Sequence, residues 1–256
     1  MRLDTYLVQN KYFESRTKAG QAIERGEVFI SSKAVFKASY DVKPSDAVVI
    51  KQLDSFVSLG GYKLDKALND FNFKVDNLIV ADVGASTGGF TDCVLKRGAK
   101  KVYAVDLNSD LLHSSLKASD RVVEVIKNVK DLRVNDFADA VDLIVADLSF
   151  ISSSIYLPIL SDIIDNDKHL ILLIKPQFEN GEKKRFKNGI IRDEKIHKTV
   201  VENVINQAKI NLFNPTRITK APEKEDKNLE FLILLRKGET ISSVQFDEDL
   251  KKLFVK

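Results

Sequence analysis

Cysteine, tryptophan and long apolar runs are almost missing from this 256-residue chain. There is one cysteine, Cys93, so an internal disulfide is excluded, which fits a reducing, cytoplasmic setting. Cys93 itself reads as a small buried apolar residue. The three histidines (His113, His169 and His197) are scattered, so no His/Cys constellation has metal-site spacing and no metal is expected. No run of about 18 apolar residues occurs, and no transmembrane helix is expected. The opening MRLDTYLVQNKYF lacks a signal-peptide core. No lytic amphipathic segment stands out, which leaves a membrane-disrupting activity without physical support. Charge of one sign is also lacking: 40 Lys+Arg face 37 Asp+Glu, for a net +3. That balance permits a nucleic-acid partner without requiring one. With 44% apolar residues the chain can bury a substantial core. Its length allows one large domain and one small one.

The most informative stretch lies at residues 78–107. The apolar run Leu78-Ile79-Val80-Ala81 ends in Asp82, and Gly84-Ala85-Ser86-Thr87-Gly88-Gly89 follows. A helix carrying Phe90, Val94 and Leu95 comes next, then Val102-Tyr103-Ala104-Val105 ending in Asp106. This is strand, glycine turn, helix and strand, the opening of a Rossmann-like α/β site where ligands sit beyond the strand ends. The turn takes glycine so that a ligand can approach the backbone. Ser86 breaks the dinucleotide spacing G-x-G-x-x-G, and no phosphate-gripping G-x-x-x-x-G-K-[ST] occurs. A cationic ligand without phosphate fits better, and S-adenosylmethionine is such a ligand. Asp82 would face its methionine end, Gly84 to Phe90 would line that side, and Asp106 would hold the ribose hydroxyls. Asn128 or Asp131 would reach the adenine, although either also suits a helix cap.

Residues 1–54 read as a separate α+β module, joined by a linker at 55–59 to a larger domain at 60–256. Leu3, Tyr6 and Leu7, then Ala19, Ala22 and Ile23, have helical spacing, and Gly26 is a C-terminal stop. Strands are expected at Val28–Ile30, at Val35-Phe36 after a Ser31-Ser32 turn, and from Asp46 to Ile50. Residues 1–60 carry nine basic and seven acidic residues, so charge alone does not mark a nucleic-acid face. Order and spacing do. Arg2-Leu3-Asp4, Ser15-Arg16 and Ile23-x-x-Gly26-x-Val28, with Lys33 and Lys37 around the second strand, resemble the S4-type RNA-binding fold. That resemblance places Arg2, Ser15, Arg16, Lys18, Arg25, Lys33 and Lys37 on an RNA face that reads shape and phosphates.

The larger domain alternates strands (78–82, 101–105, 122–126, 142–146, 169–174, 211–218, 229–235) with helices (62–70, 88–97, 109–117, 152–164, 194–207). That alternation implies a parallel sheet covered on both faces. Residues 237–256 read as a polar tail. Three more motifs fall at strand ends or nearby: Gly60-Gly61-Tyr62-Lys63, Val145-Ala146-Asp147-Leu148-Ser149-Phe150 and Ile174-Lys175-Pro176-Gln177-Phe178-Glu179. Each alone is a charged residue reaching solvent. Together with the glycine turn they converge on one rim.

With DVGASTGGFTD, VADLSFIS and IKPQFE in place, the chain closely resembles the TlyA (haemolysin A) family over nearly its whole length. These are rRNA ribose 2′-O-methyltransferases with an S4-type module fused to an FtsJ-like, class I S-adenosylmethionine-dependent domain. The resemblance implies a catalytic tetrad of Lys63, Asp147, Lys175 and Glu230. It also implies rRNA within ribosomal subunits or ribosomes as partner, with cytidine as the modified nucleotide. Leu59 and Phe56 stand where the family more often has arginine and tryptophan, and the loop 221–228 before Glu230 is longer and more charged than usual. A non-catalytic ribosome-associated factor is the alternative, and four intact candidate catalytic residues count against it.

Overall fold

The computed structural model describes residues 1–24, 26–31, 33–50, 56–108, 110–179, 186, 189–223, 227–239 and 243–254. The chain divides into two compact units, Met1–Leu59 and Gly60–Lys256. The expected boundary at 54/55 lies outside the described residues, as does Arg25.

In the first unit, α1 (Leu3–Gln9) and α2 (Arg16–Glu24) precede β1 (Val28–Ile30), β2 (Lys33–Ala34) and β3 (Val48–Ile50). The strands form an antiparallel sheet in the order β2-β1-β3. The helically spaced positions build the core, with Leu3, Leu7, Ala19, Ala22 and Ile23 closing on Val28 and Ile30. Gly26 ends α2 at φ +74°, and a Cβ there would stand 2.8 Å from the Phe36 ring. The second strand therefore differs from expectation. Lys33 and Ala34 take the ladder positions opposite Ile30 and Phe29, while Phe36 lies against Gly26 and stays largely exposed.

The second unit opens with α3 (Leu59–Phe71) and continues through β4 (Ile79–Val83), α4 (Gly89–Lys96), β5 (Lys101–Asp106), α5 (Ser114–Lys117) and β6 (Val122–Ile126). It goes on with β7 (Leu143–Ala146), α6 (Ser153–Ile163), β8 (His169–Ile174), α7 (Pro176–Glu179), α8 (Glu194–Ile210), β9 (Phe213–Lys220), β10 (Phe231–Lys237) and α9 (Val244–Phe254). One seven-stranded sheet runs β6-β5-β4-β7-β8-β10-β9. The chain leaves β4 toward β5 and β6 on one side, then returns to β7 and β8 on the other. The strand order thus reverses between β4 and β7, where a ligand crevice forms in such sheets. All four residues of β7 are buried, as are five of six in β8, which explains their unbroken apolar runs.

Three expectations need correcting. The sheet is not wholly parallel, because β10 runs antiparallel to both β8 and β9. No helix separates β9 from β10 among the described residues, and two strands joined without a crossover pair antiparallel. The expected helix over 109–117 shortens to α5. Asn108 Oδ1 accepts from the Asp110 N–H at 3.0 Å, a local turn that competes with helix. The C-terminal stretch is not a simple polar tail, since Phe246, Leu250, Leu253 and Phe254 recur at helical spacing in α9 and pack on the core.

Candidate active site

Strand register brings the candidate catalytic residues to one edge of the sheet. Asp147 follows Ala146, which pairs with Val83 of β4 and Leu172 of β8. Lys175 follows Ile174, whose antiparallel partner is Phe231 of β10. Glu230 immediately precedes Phe231, so the start of β10 lies beside the end of β8. Two lysine–carboxylate pairs result. Lys175 Nζ lies 2.5 Å from Asp147 Oδ1, and Lys63 Nζ lies 2.6 Å from Glu230 Oε2. All four side chains are at most one-quarter exposed. Removal from solvent makes such pairs far more directional than surface ion pairs.

A cavity of about 650 Å³ opens beside this rim, within the usual range for a small-molecule site. Its walls include Gly84, Ser86, Asp106, Asn128, Asp147 and Ser149. Asp106 is held in place by the backbone: Oδ2 accepts from Ser86 N–H at 2.8 Å and Oδ1 from Asn108 N–H at 3.2 Å. Asn128 Oδ1 caps a short turn by accepting from Lys130 N–H at 3.0 Å, so its amide NH₂ is the group left for a ligand. Asp131 is exposed and does not line the cavity.

The glycine turn departs from its expected rationale. Gly84 and Gly88 have φ of +87° and +90°. A Cβ on Gly84 would stand 2.8 Å from the Asp147 carbonyl oxygen, and one on Gly88 would lie 2.7 Å from Leu112 Cδ1 and overlap Leu116. The space that glycine spares is filled by protein, not reserved for a ligand. Ala85, Thr87, Gly88, Gly89 and Phe90 do not line the cavity; Phe90 is core, and the Thr87 carbonyl accepts from His113 N–H at 3.3 Å.

Asp82 is fully buried in β4 and also does not line the cavity wall. Its Oδ2 accepts from Thr91 Oγ1 at 2.6 Å, while Oδ1 has no hydrogen-bond partner. Burial pushes this carboxyl up to about 7; the Thr91 hydrogen bond opposes the rise, and the nearby charges of Asp147 and Asp106 add to it. A buried carboxylate with an open oxygen suits a neighbouring cation.

Sequence reasoning passed over the fastening of the loop after Asp147. Lys175 Nζ donates to Ser149 Oγ at 2.7 Å. Phe150 takes φ +63°, is 87% exposed, and sets its ring 4.6 Å from that of Phe178. Glu179 accepts from Ser153 N–H at 2.9 Å and from the hydroxyls of Ser153 and Ser152 at 3.0 and 3.1 Å. Burial raises the Glu179 pKa, and these donors oppose the rise. The available signal was the recurrence of serine in Ser149-x-x-Ser152-Ser153 opposite a motif ending in glutamate.

In the first unit, Arg2 and Arg16 both grip the buried Asp4, at 3.0 and 2.7 Å, yet each side chain remains more than half exposed. Lys18 pairs with Glu14, and Ser15 Oγ accepts from Lys18 N–H at 3.2 Å as the start of α2. Lys33 and Lys37 are exposed. Cys93 is buried, and burial pushes its thiol well up. Among the described residues no group of three or more His, Cys, Asp or Glu side chains is placed to hold a metal ion.

Comparison with known proteins agrees with this architecture. The FtsJ-like methyltransferase model matches residues 56–237, and the S4 domain model matches residues 1–48. Hemolysin A of Brachyspira hyodysenteriae is 40% identical over 235 residues, covering 91% of this chain and 98% of that protein. The 16S/23S rRNA (cytidine-2′-O)-methyltransferase TlyA of Mycobacterium tuberculosis is 34% identical over 239 residues, covering 92% and 89%. A solved structure described as a hemolysin from Streptococcus thermophilus matches with a TM-score of 0.74 at 33% identity, covering 98% of this chain and 94% of that one. Among the described residues no helix is long and apolar enough to cross a membrane. By its doubly wound sheet, its paired lysines and carboxylates at the strand ends and these matches, the chain belongs to the FtsJ-like methyltransferase family and carries an S4 domain at its N-terminus.

Proposed function

We propose that this protein transfers a methyl group from S-adenosylmethionine to a ribose 2′-hydroxyl of ribosomal RNA, with cytidine the favoured nucleotide. The observation that carries the reading is the convergence of Lys63–Glu230 and Lys175–Asp147 on one sheet edge beside the cavity. The residues present fit the cofactor: carboxylates at Asp106 and Asp147 line the cavity, and Asp82 keeps a buried open oxygen. When bound there, S-adenosylmethionine supplies an electrophilic methyl on a cationic sulfur. Asp106 would hold the ribose diol, Asn128 the adenine, and Asp82 would balance the positive methionine end.

A ribose hydroxyl is a poor nucleophile until it shares or loses its proton. Lys175 receives or steers that proton, and Asp147 orients Lys175. Lys63 supplies adjacent positive charge and holds the substrate phosphate or hydroxyl, and Glu230 fixes Lys63. Arg2, Arg16, Lys18, Lys33 and Lys37 of the S4 domain engage RNA phosphates within a ribosomal subunit. Holding the substrate in line is itself a large share of such a rate enhancement.

The test is transfer of radiolabelled methyl to bacterial ribosomal subunits, whole ribosomes and free rRNA, with Lys175→Ala alongside. Label recovered in an alkali-resistant dinucleotide, and lost in the variant, supports the reading. Cofactor binding without label on any particle overturns the rRNA substrate. Full activity of Lys175→Ala overturns the role of that lysine.

A further inference from the structure

Lys175 Nζ has two close neighbours, Asp147 Oδ1 at 2.5 Å and Ser149 Oγ at 2.7 Å. The Ser149 contact is a hydrogen bond and takes one of the three positions open around a lysine nitrogen, whereas the Asp147 contact is an ion pair in which Oδ1 accepts no hydrogen bond. Ser149 lines the cavity and Lys175 does not. Its placement is not casual. Asp147 N–H donates to Val83 O at 3.1 Å, and the Asp147 carbonyl packs against Gly84. Beyond Ser149, Phe150 is stacked on Phe178, and Ser152 and Ser153 are tied to Glu179. The loop is therefore pinned on both sides of the serine to the segment that carries Lys175.

We propose that Ser149 is a positioning residue for methyl transfer, fixing rotation about the Lys175 Cε–Nζ bond so that an open position of the nitrogen faces the substrate hydroxyl. This rests on the reading of Lys175 given above. In the neutral amine one N–H donates to Ser149, and the lone pair takes one of the two positions that this bond leaves open. The ribose oxygen forms its bond to the methyl carbon as the carbon–sulfur bond breaks, with that electron pair left on sulfur. The hydroxyl proton passes to the Lys175 lone pair, and Ser149 is unchanged. Without the serine hydroxyl the hydrogen bond that fixes this rotation is gone, and the lone pair spends less time aligned.

The experiment compares full-length wild type, Ser149→Ala, Ser149→Thr and Lys175→Ala on ribosomal subunits at saturating S-adenosylmethionine, with cofactor Kd measured separately. Loss of one hydrogen bond between neutral groups predicts that Ser149→Ala lowers kcat about five- to tenfold, with cofactor Kd and substrate KM within about twofold of wild type. Ser149→Thr, which keeps the hydroxyl, should restore most of the rate. A Ser149→Ala kcat within about twofold of wild type overturns the inference. So does a loss accounted for by weaker cofactor binding, or one that threonine does not repair. If Ser149→Ala is normal while Lys175→Ala is inactive, only the serine assignment fails. If Lys175→Ala is active, or wild type transfers nothing, the reading of the site fails and takes this inference with it.

Discussion

Replacing Asp82 by asparagine should remove a proton-linked component of cofactor binding. In the wild type the carboxyl is fully buried, its Oδ1 is unpaired, and burial lifts it to about 7. On the proposed function, the cationic methionine end binds to the fraction in which this carboxyl is ionised. That fraction rises from about one-tenth near pH 6 to about nine-tenths near pH 8, so the apparent affinity should rise about tenfold across the window. The cofactor's own amino group titrates at about 7.7–8.0, but it does so equally against both proteins. The wild-type-to-variant ratio of affinities therefore isolates Asp82. Asparagine retains an acceptor for Thr91 Oγ1 and carries no charge. Stability gives an independent check on sign. The folded pKa lies above the ordinary value of about 3.9, so the unfolded chain gives up its proton first. The ligand-free wild type should lose stability as pH rises from about 4 to about 7 and level off above that, whereas Asp82→Asn lacks the slope. Calorimetric titration near pH 6, 7 and 8 measures the first effect and urea melts the second. An affinity ratio that does not change between the lowest and highest pH would refute the reasoning.

Asp106→Ala removes acceptors for two backbone N–H groups as well as the proposed ribose contact, and should weaken cofactor binding about 10- to 100-fold while the melting transition stays cooperative; equilibrium dialysis decides it. Gly88→Ala combines a left-handed backbone with overlap against Leu112 and Leu116, and should cost about 2 kcal/mol or more by urea titration. Asp4→Asn should cost about 1–2 kcal/mol, since the two guanidinium partners are exposed enough to re-solvate. Asp4 is held well below the usual carboxylate range, first by its hydrogen bond from Arg2 against burial. Its contribution is therefore complete above about pH 4 and fades as pH falls further, and the gap between wild type and variant in a melt should close toward acid.

Local pattern carried most of the fold because the strands of a covered parallel sheet are unbroken apolar runs. Leu143–Ala146 and His169–Ile174 are of that kind, and a charged residue marks where each emerges. Strand direction is not a local property. Whether Phe231–Lys237 runs with or against β8 depends on the connection from β9, which has no periodicity to read. In α9 the apolar positions were present at 246, 250, 253 and 254, but intervening lysines and carboxylates made the stretch look like a solvated end. The reason for Gly84 was hidden because the atoms it avoids belong to Asp147, sixty-odd positions away and three strands later. Contacts of this kind, like Ser149 with Lys175, exist only after the sheet has closed.

The cavity walls all come from one contiguous stretch, Val83 to Ile155, whereas Lys63, Lys175 and Glu230 arrive from before and after it. On the proposed roles, the cofactor walls and Asp147 are written in one part of the chain, and the other three candidate catalytic residues lie outside it. Glu230 reaches the rim only because β10 is threaded backwards between β8 and β9, so during synthesis the pocket is encoded well before the last candidate catalytic carboxylate has emerged. On the proposed roles, loss of Glu230 alone would leave the cavity walls intact and Lys63 without its carboxylate, a protein that still takes up cofactor and RNA without modifying the RNA. Such a variant would act as an inhibitor of the intact copies beside it.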